Sequence, residues 1–305
     1  MSEKGISRRQ FVAGAAVTAA ATTLPVLSNV TTAAAAVPAT IAPLTKGAAD
    51  WTPLDAKALA RQAYEIYKGK HAGQAACCEA TWWPIIGVLA ARYPDTWGHM
   101  PKGVFNYGGG GINSWRSICG CTNGGSNVLK MVTNDGKAID EYLAWYEKTL
   151  LPTNATYLDY RTTTWVAGGS AAGVWGGTGL PIPYNNAPKS KAQSVLCHSS
   201  LTNWRVVAGP WEQSKPAAQS DRCGKLCYDT VFKLATMINS WMAGATFAGA
   251  LDSSIASCGE TTGIGCHGSS ANATTGGLNT GHPMAQGKMK CTPCHTQRLG
   301  DGHNL

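Results

Sequence analysis

A chain of 305 residues with a formal charge of +8 holds enough material for one large core or two smaller domains. Its basic residues form no run or stripe, which argues against nucleic acid as a partner and leaves the positive excess to meet anionic groups or an acidic protein. Eleven cysteines, and eleven tryptophans against four phenylalanines, are the compositional outliers.

Ser7-Arg8-Arg9-Gln10-Phe11-Val12 is a twin-arginine export signal, followed by an Ala-rich apolar run and the small residues Ala33 to Ala36. The run is rich in Ala, Gly and Thr and broken by Pro25, so it is a poor spanning helix. Residues 1–36 therefore read as a removed signal, and the mature chain is expected in the periplasm without stable membrane insertion.

Residues 37–52 read as a polar linker. Pro53 to Lys68 has the spacing of an amphipathic helix, with Leu54, Leu59, Ala63, Ile66 and Tyr67 on one face. Cys77 to Arg92 is a more apolar helix that carries Trp82, Trp83, Ile85, Ile86, Val88 and Leu89 and stops before Pro94. A Gly-rich turn over 105–112 leads to Cys119-Gly120-Cys121-Thr122-Asn123-Gly124 and the apolar stretch Val128 to Val132. Ala138 to Leu150 is another helix, with Pro152 beyond its end. Residues 151–195, rich in Gly, Pro, Asn and Thr, read as an irregular excursion or a small β element. Cys197 to Val207 and Asp221 to Phe247 are helical again, and beyond Ala248 hydrophobic periodicity stops. The expected fold is mainly α: a helical cysteine-rich domain over 53–250, then an irregular C-terminal segment over 251–305.

That last segment contains Cys291-Thr292-Pro293-Cys294-His295, the C-x-x-C-H string of c-type haem attachment. Two cysteines on one turn add across the vinyl groups of a haem, and His295 is then placed under the iron as proximal axial ligand. Cys266-His267 lies upstream, with seven residues between Cys258 and Cys266 in place of the usual two. Gly259, Gly263 and Gly265 would let the extra residues loop outward, giving a second haem site with His267 as axial ligand. A single thioether from Cys266, or a Cys258–Cys266 disulfide without haem, are the alternatives. His282, between the two motifs, is the first distal candidate, followed by His303 and His71.

Twin-arginine export carries folded proteins, often with a cofactor already installed, whereas c-type haem is joined after export. Both signals in one chain point to a second cofactor inserted in the cytoplasm. Outside the haem motifs stand Cys77, Cys78, Cys119, Cys121, Cys197, Cys223 and Cys227, an odd number that cannot all pair within the chain. Several lie in apolar helical segments, so an iron–sulfur cluster competes with disulfides for them.

Ala76-Cys77-Cys78-Glu79-Ala80, the Gly-rich turn, Cys119 to Gly124, Cys197-His198-Ser199-Ser200 and Arg222-Cys223-Gly224-Lys225-Leu226 together resemble the C_GCAxx_C_C redox family. With C-x-x-C-H at the C-terminal end, the chain resembles the split-Soret cytochrome c family over residues 53–303. That resemblance implies a homodimeric electron-transfer protein with two haem c, bis-histidine coordinated, and an iron–sulfur cluster, [2Fe-2S] or other. Carried over by position, the cluster ligands are Cys77, Cys119, Cys197 and Cys223. Cys121 stands where the signature has alanine, and Cys78 and Cys227 are further extras: bystanders, disulfide partners, or ligands of a larger cluster. Bis-histidine coordination closes the iron to substrate, so an electron carrier serving periplasmic redox partners is the leading reading. A dihaem reductase or peroxidase with one open haem is the alternative.

Overall fold

The computed structural model describes residues 42–69, 76–153, 188–213, 216–249 and residue 288. Helix α1 (Ala56–Tyr67) begins where the Asp55 carboxylate accepts hydrogen bonds from the N–H groups of Lys57 (3.1 Å) and Ala58 (3.0 Å). Two of the donors that a helix start leaves unpaired are thereby satisfied. The helix buries Leu59, Ala60, Ala63, Tyr64 and Ile66 along one face. Helix α2 (Cys77–Arg92) is enclosed on most sides, and Cys77 through Trp82 are buried without a break. A helix so placed has no polar stripe to offer, which accounts for its apolar composition. After a single turn α3 (Pro94–Trp97) and a 3-10 turn at Asn106–Gly108, the chain enters α4 (Gly120–Thr133). Asn134, left-handed at φ 53°, closes α4, and Asp135 caps α5 (Gly136–Lys148) by accepting from the Lys137 N–H at 2.8 Å.

Strands β1 (Leu150–Leu151) and β2 (Ser190–Lys191) pair antiparallel, Leu150 opposite Lys191 and Leu151 opposite Ser190. Helix α6 (Cys197–Gln213) is interrupted at Gly209 (φ 72°), and the long α7 (Pro216–Met242) runs beside α1, α2 and α4. One core unites them: Trp82, Ile85, Ile86 and Leu89 of α2, Val128, Leu129 and Val132 of α4, and Leu226, Val231, Leu234 and Ile238 of α7 are buried together.

The contact between α2 and α4 depends on missing side chains. A Cβ at Gly124 would stand 2.5 Å from the Cys78 carbonyl oxygen, and one at Gly120 would stand 2.6 Å from the Gly108 oxygen and 2.7 Å from the Cys78 nitrogen. Glycine inside a helix costs about 1 kcal/mol relative to alanine. Here it lets two backbones close around the cysteines that begin both helices.

The mainly α class holds, and α2 has the bounds its composition indicates. Helix α1 is shorter than Pro53–Lys68 because Asp55 sets its start. Cys119 to Val132, read as a motif followed by an apolar stretch, is one helix with its preceding residue. Helix α7 starts before Asp221 and ends at Met242, short of Phe247, with Gly244 turned to φ 105° just beyond. The signal at 1–36 and the haem motifs lie outside the described residues: Cys258, Cys266, His267, Cys291, Cys294 and His295, together with His282, His303 and His71. From the C-terminal segment, Lys288 pairs with Asp140 of α5 at 2.7 Å. Among the described residues no helix is long and apolar enough to cross a membrane.

Candidate metal centre

Three of the seven described cysteines sit at helix starts. Cys77 is the first residue of α2, Cys119 immediately precedes α4, and Cys197 is the first residue of α6. The N-terminal end of a helix carries unpaired N–H groups and a partial positive charge, both of which favour a thiolate. Cys223 and Cys227 lie one turn apart on α7.

A short backbone clamp holds two of these starts together. The Cys197 N–H donates to the Ser117 carbonyl (2.7 Å), the Cys119 N–H to Val195 (2.9 Å) and the His198 N–H to Arg116 (3.0 Å), around a bridge between Ile118 and Leu196. The loop leading into the clamp places Ile112, Asn113, Ser114 and Arg116 at positive φ, a conformation that non-glycine residues seldom adopt. A Cβ on Gly111 (φ 71°) would meet the Cys197 Cβ at 2.8 Å, so glycine is needed there for space as well as for conformation.

Cys77, Cys119, Cys121, Cys197 and Cys223 line one cavity of about 330 Å³, together with Tyr67, Arg116 and Arg222. Cys227 stands behind Cys121, with their sulfurs 3.7 Å apart, and its thiol reaches the Cys77 carbonyl at 3.9 Å. Cys78 is fully buried but is absent from the cavity wall; it packs against Gly108, where a Cβ would overlap its own. The described histidines, His99 and His198, are exposed, and neither lines the cavity.

Two cations face the thiols. Arg222 is buried; its Nη2 donates to Ser200 Oγ (2.6 Å) and to the Ser200 carbonyl (3.3 Å), and its Nη1 to Cys223 Sγ (3.9 Å). Arg116 Nη1 donates to Cys197 Sγ at 3.9 Å. The Tyr146 hydroxyl donates to Ser200 Oγ (2.9 Å), and the Tyr142 hydroxyl to the Cys121 carbonyl (2.8 Å), so the second layer is hydrogen-bonded as well.

Burial and crowding raise these thiols above their ordinary value. Cys119 is pushed well up by its hydrogen bond with Cys121 and by burial. Burial raises Cys223 against the opposing pull of Arg222, and raises Cys197, aided by Cys119, against Arg116. At Cys77 a hydrogen bond with Cys227 pulls down but is outweighed by burial and by Cys121, Cys223 and Cys119. At Cys121 the downward pull of Cys119 is likewise outweighed by Cys227 and burial. Burial lifts Cys227 well up, and Cys78 to about 12. So many buried sulfurs ionise together only around a cationic guest. Among the described residues no three His, Cys, Asp or Glu side chains close on a point as the ligands of one metal ion would. An all-sulfur donor set ringing a void suits a multi-iron cluster better than a single ion.

Arg116, Arg222, Tyr67 and Ser200 were not assigned to the site from the sequence. The available signal was adjacency: Arg222 precedes Cys223 directly, and Arg116 lies three residues before Cys119.

The family description of twin-arginine translocation pathway signal sequences matches residues 5–25, which directs the protein to the periplasm. Split-Soret cytochrome c of Desulfovibrio desulfuricans (strain ATCC 27774 / DSM 6949 / MB) is 30% identical over 258 residues, covering 82% of this chain and 79% of that protein. The solved structure of split-Soret cytochrome c from Desulfovibrio desulfuricans ATCC 27774, described with a novel iron centre, is similar with a TM-score of 0.57 and 28% identity, covering 83% of this chain and 93% of that one. By extent and identity, the chain belongs to the split-Soret cytochrome c family.

Proposed function

We propose that the protein is a periplasmic electron carrier that works as a homodimer, with two haem c in its C-terminal segment and an iron–sulfur cluster in its helical domain. The observation that carries the cluster is the convergence of thiols from α2, α4, α6 and α7 on one cavity beside two arginines. The iron centre of the Desulfovibrio relative supports the same reading.

Cys77, Cys119, Cys197 and Cys223 are the proposed cluster ligands, three from within α2, α6 and α7 and Cys119 from the residue that precedes α4. Of the three extra cysteines, Cys121 is best placed to join them, because it alone lines the cavity. Cys291 and Cys294 are proposed to hold one haem with His295 as axial ligand, and Cys258 and Cys266 the other with His267. His282, then His303 and His71, are the distal candidates. Haem and cluster supply one-electron chemistry when bound. The chain's own part is to hold the donors apart on rigid helices, to surround them with Tyr67, Leu226 and Tyr142, and to place positive charge beside thiolates.

The test is to purify the exported full chain and measure covalent haem, total iron and acid-labile sulfide, with EPR of the reduced protein. Iron in excess of haem, matched by sulfide, is expected. Iron equal to haem, with no sulfide, eliminates the cluster. Sedimentation at the mass of one chain would eliminate the homodimer.

A further inference from the structure

Arg222 holds an unusual position for a cation. It is 4% exposed, forms part of the cavity wall, and has no carboxylate hydrogen bond among the described residues. Asp221 precedes it but is turned away, bonded to the Tyr64 hydroxyl (3.0 Å) and the Lys225 ammonium (2.5 Å). One end of the guanidinium is fixed: Nη2 donates twice to Ser200, whose hydroxyl is held in turn by Tyr146. Nη1 is directed at the Cys223 sulfur. Nε is sealed from solvent without a hydrogen-bond partner among the described residues.

A buried guanidinium is costly unless its charge and its donors are both answered. Arginine does not escape the cost by losing its proton. An unpaired buried donor adds its own penalty of about 1–3 kcal/mol. The protein groups present answer one nitrogen well, one weakly and one not at all. The charge calls for an anionic, acceptor-rich partner, and the cavity that Arg222 lines beside the thiols is the place for one.

We propose that Arg222 is the resident counter-charge and N–H donor of the cluster, a positioning residue that donates to cluster sulfur through Cys223 and raises the reduction potential. Four thiolates leave an iron–sulfur cluster negatively charged, and reduction adds a further negative charge. A fixed cation with N–H groups directed at sulfur stabilises the reduced form more than the oxidised form. Arg116 bonds to Cys197 with the same geometry but is only half-buried, so solvent screens it and its effect is the smaller of the two.

This inference rests on the cluster reading of the cavity, and its test separates the two. Exported full-length wild type, R222Q, R222K and R116Q are compared for iron and sulfide per chain, EPR of the reduced cluster, its midpoint potential by EPR-monitored titration, and helical content. Wild type without non-haem iron would end the cluster reading itself. With the cluster present, R222Q is expected to lower the midpoint potential so that the reduced-to-oxidised ratio at fixed poise falls at least tenfold, about 59 mV for one electron. R222K keeps the charge but lacks the Nε donor and the Ser200 anchor, so it should fall between, with R116Q showing the smallest shift. A wild-type potential and EPR spectrum in either Arg222 variant at full iron content would overturn the proposal. Where R222Q does not fold, R222K alone decides. Loss of helical content in both would also overturn the proposal, making Arg222 a structural residue.

Discussion

Neighbouring cysteines in this molecule do different things, and Cys77 and Cys78 show it most simply. Both are buried on the first turn of α2, yet Cys77 lines the cavity while Cys78 packs against Gly108. Cys77→Ala is expected to lose the cluster iron and sulfide. Cys78→Ala should keep both and cost only about 1 kcal/mol of packing, readable as a small drop in Tm at unchanged iron per chain. A pair of adjacent thiols in a sequence carries no sign of which one faces the metal; the helical turn decides, and its phase depends on the tertiary contact with Gly108. The tyrosines give a pH-dependent readout of the same packing. Tyr142 is held well above its ordinary value of 10.0 by burial and by Cys121, and Tyr146 by burial and by Cys119. Because the fold prefers the protonated phenols, their contribution is fully present below the unfolded value and is lost as pH rises through the folded ones. Stability should therefore fall from about pH 10 upward, with phenolate absorbance appearing together with unfolding. Phenolate titrating near pH 10 in the intact fold would contradict the packing around both rings.

At the scale of elements, much of the fold was legible. Helix α2 has its expected bounds because a largely apolar run carries it past Pro84 in its interior and a proline stands two residues beyond its end. Helix α4 was less legible, since Gly120, Gly124 and Gly125 weaken helix propensity in its first two turns. Those turns form because tertiary contact replaces propensity: Cys78 and Thr81 lie against Gly124, and the Tyr142 ring lies against Gly125. Arg116 was hidden as a site residue for a related reason, since it meets Cys197 across 81 positions of sequence, whereas Arg222 carried only its adjacency to Cys223 as a signal. A glycine-to-alanine pair tests the account of α4. Gly124→Ala places a methyl against the fixed Cys78 carbonyl, and a clash of about 1–3 kcal/mol outweighs the propensity gain of roughly 1 kcal/mol. Both Tm and iron per chain should fall. Gly136→Ala, at the open start of α5 with nothing within 4 Å, should leave iron unchanged and Tm equal or slightly higher. Equal behaviour of the two variants would mean that close approach of α2 and α4 is not what shapes the cavity.

At the scale of the whole molecule, the proposed cofactors would be assembled in two compartments. The thiol cavity is enclosed by α2, α4, α6 and α7, so its ligands are brought together only when the helical domain is folded. A reducing cytoplasm would keep those thiols free until the proposed cluster is seated, and the oxidising periplasm would otherwise favour pairs such as Cys121 and Cys227, whose sulfurs already lie 3.7 Å apart. The twin-arginine signal is suited to this order because it passes folded proteins, whereas the haem proposed at Cys291, Cys294 and His295 would be joined only after export. Replacing Arg8 and Arg9 by lysine should therefore separate the two cofactors. The retained protein is expected to hold non-haem iron and acid-labile sulfide at the wild-type ratio while carrying no covalent haem after denaturation. The converse pair, Cys291→Ser with Cys294→Ser, should be exported with its cluster and lose one covalent haem per chain. If the twin-lysine protein accumulates folded but free of non-haem iron, cluster insertion follows export, and the need to cross the membrane folded must have another origin.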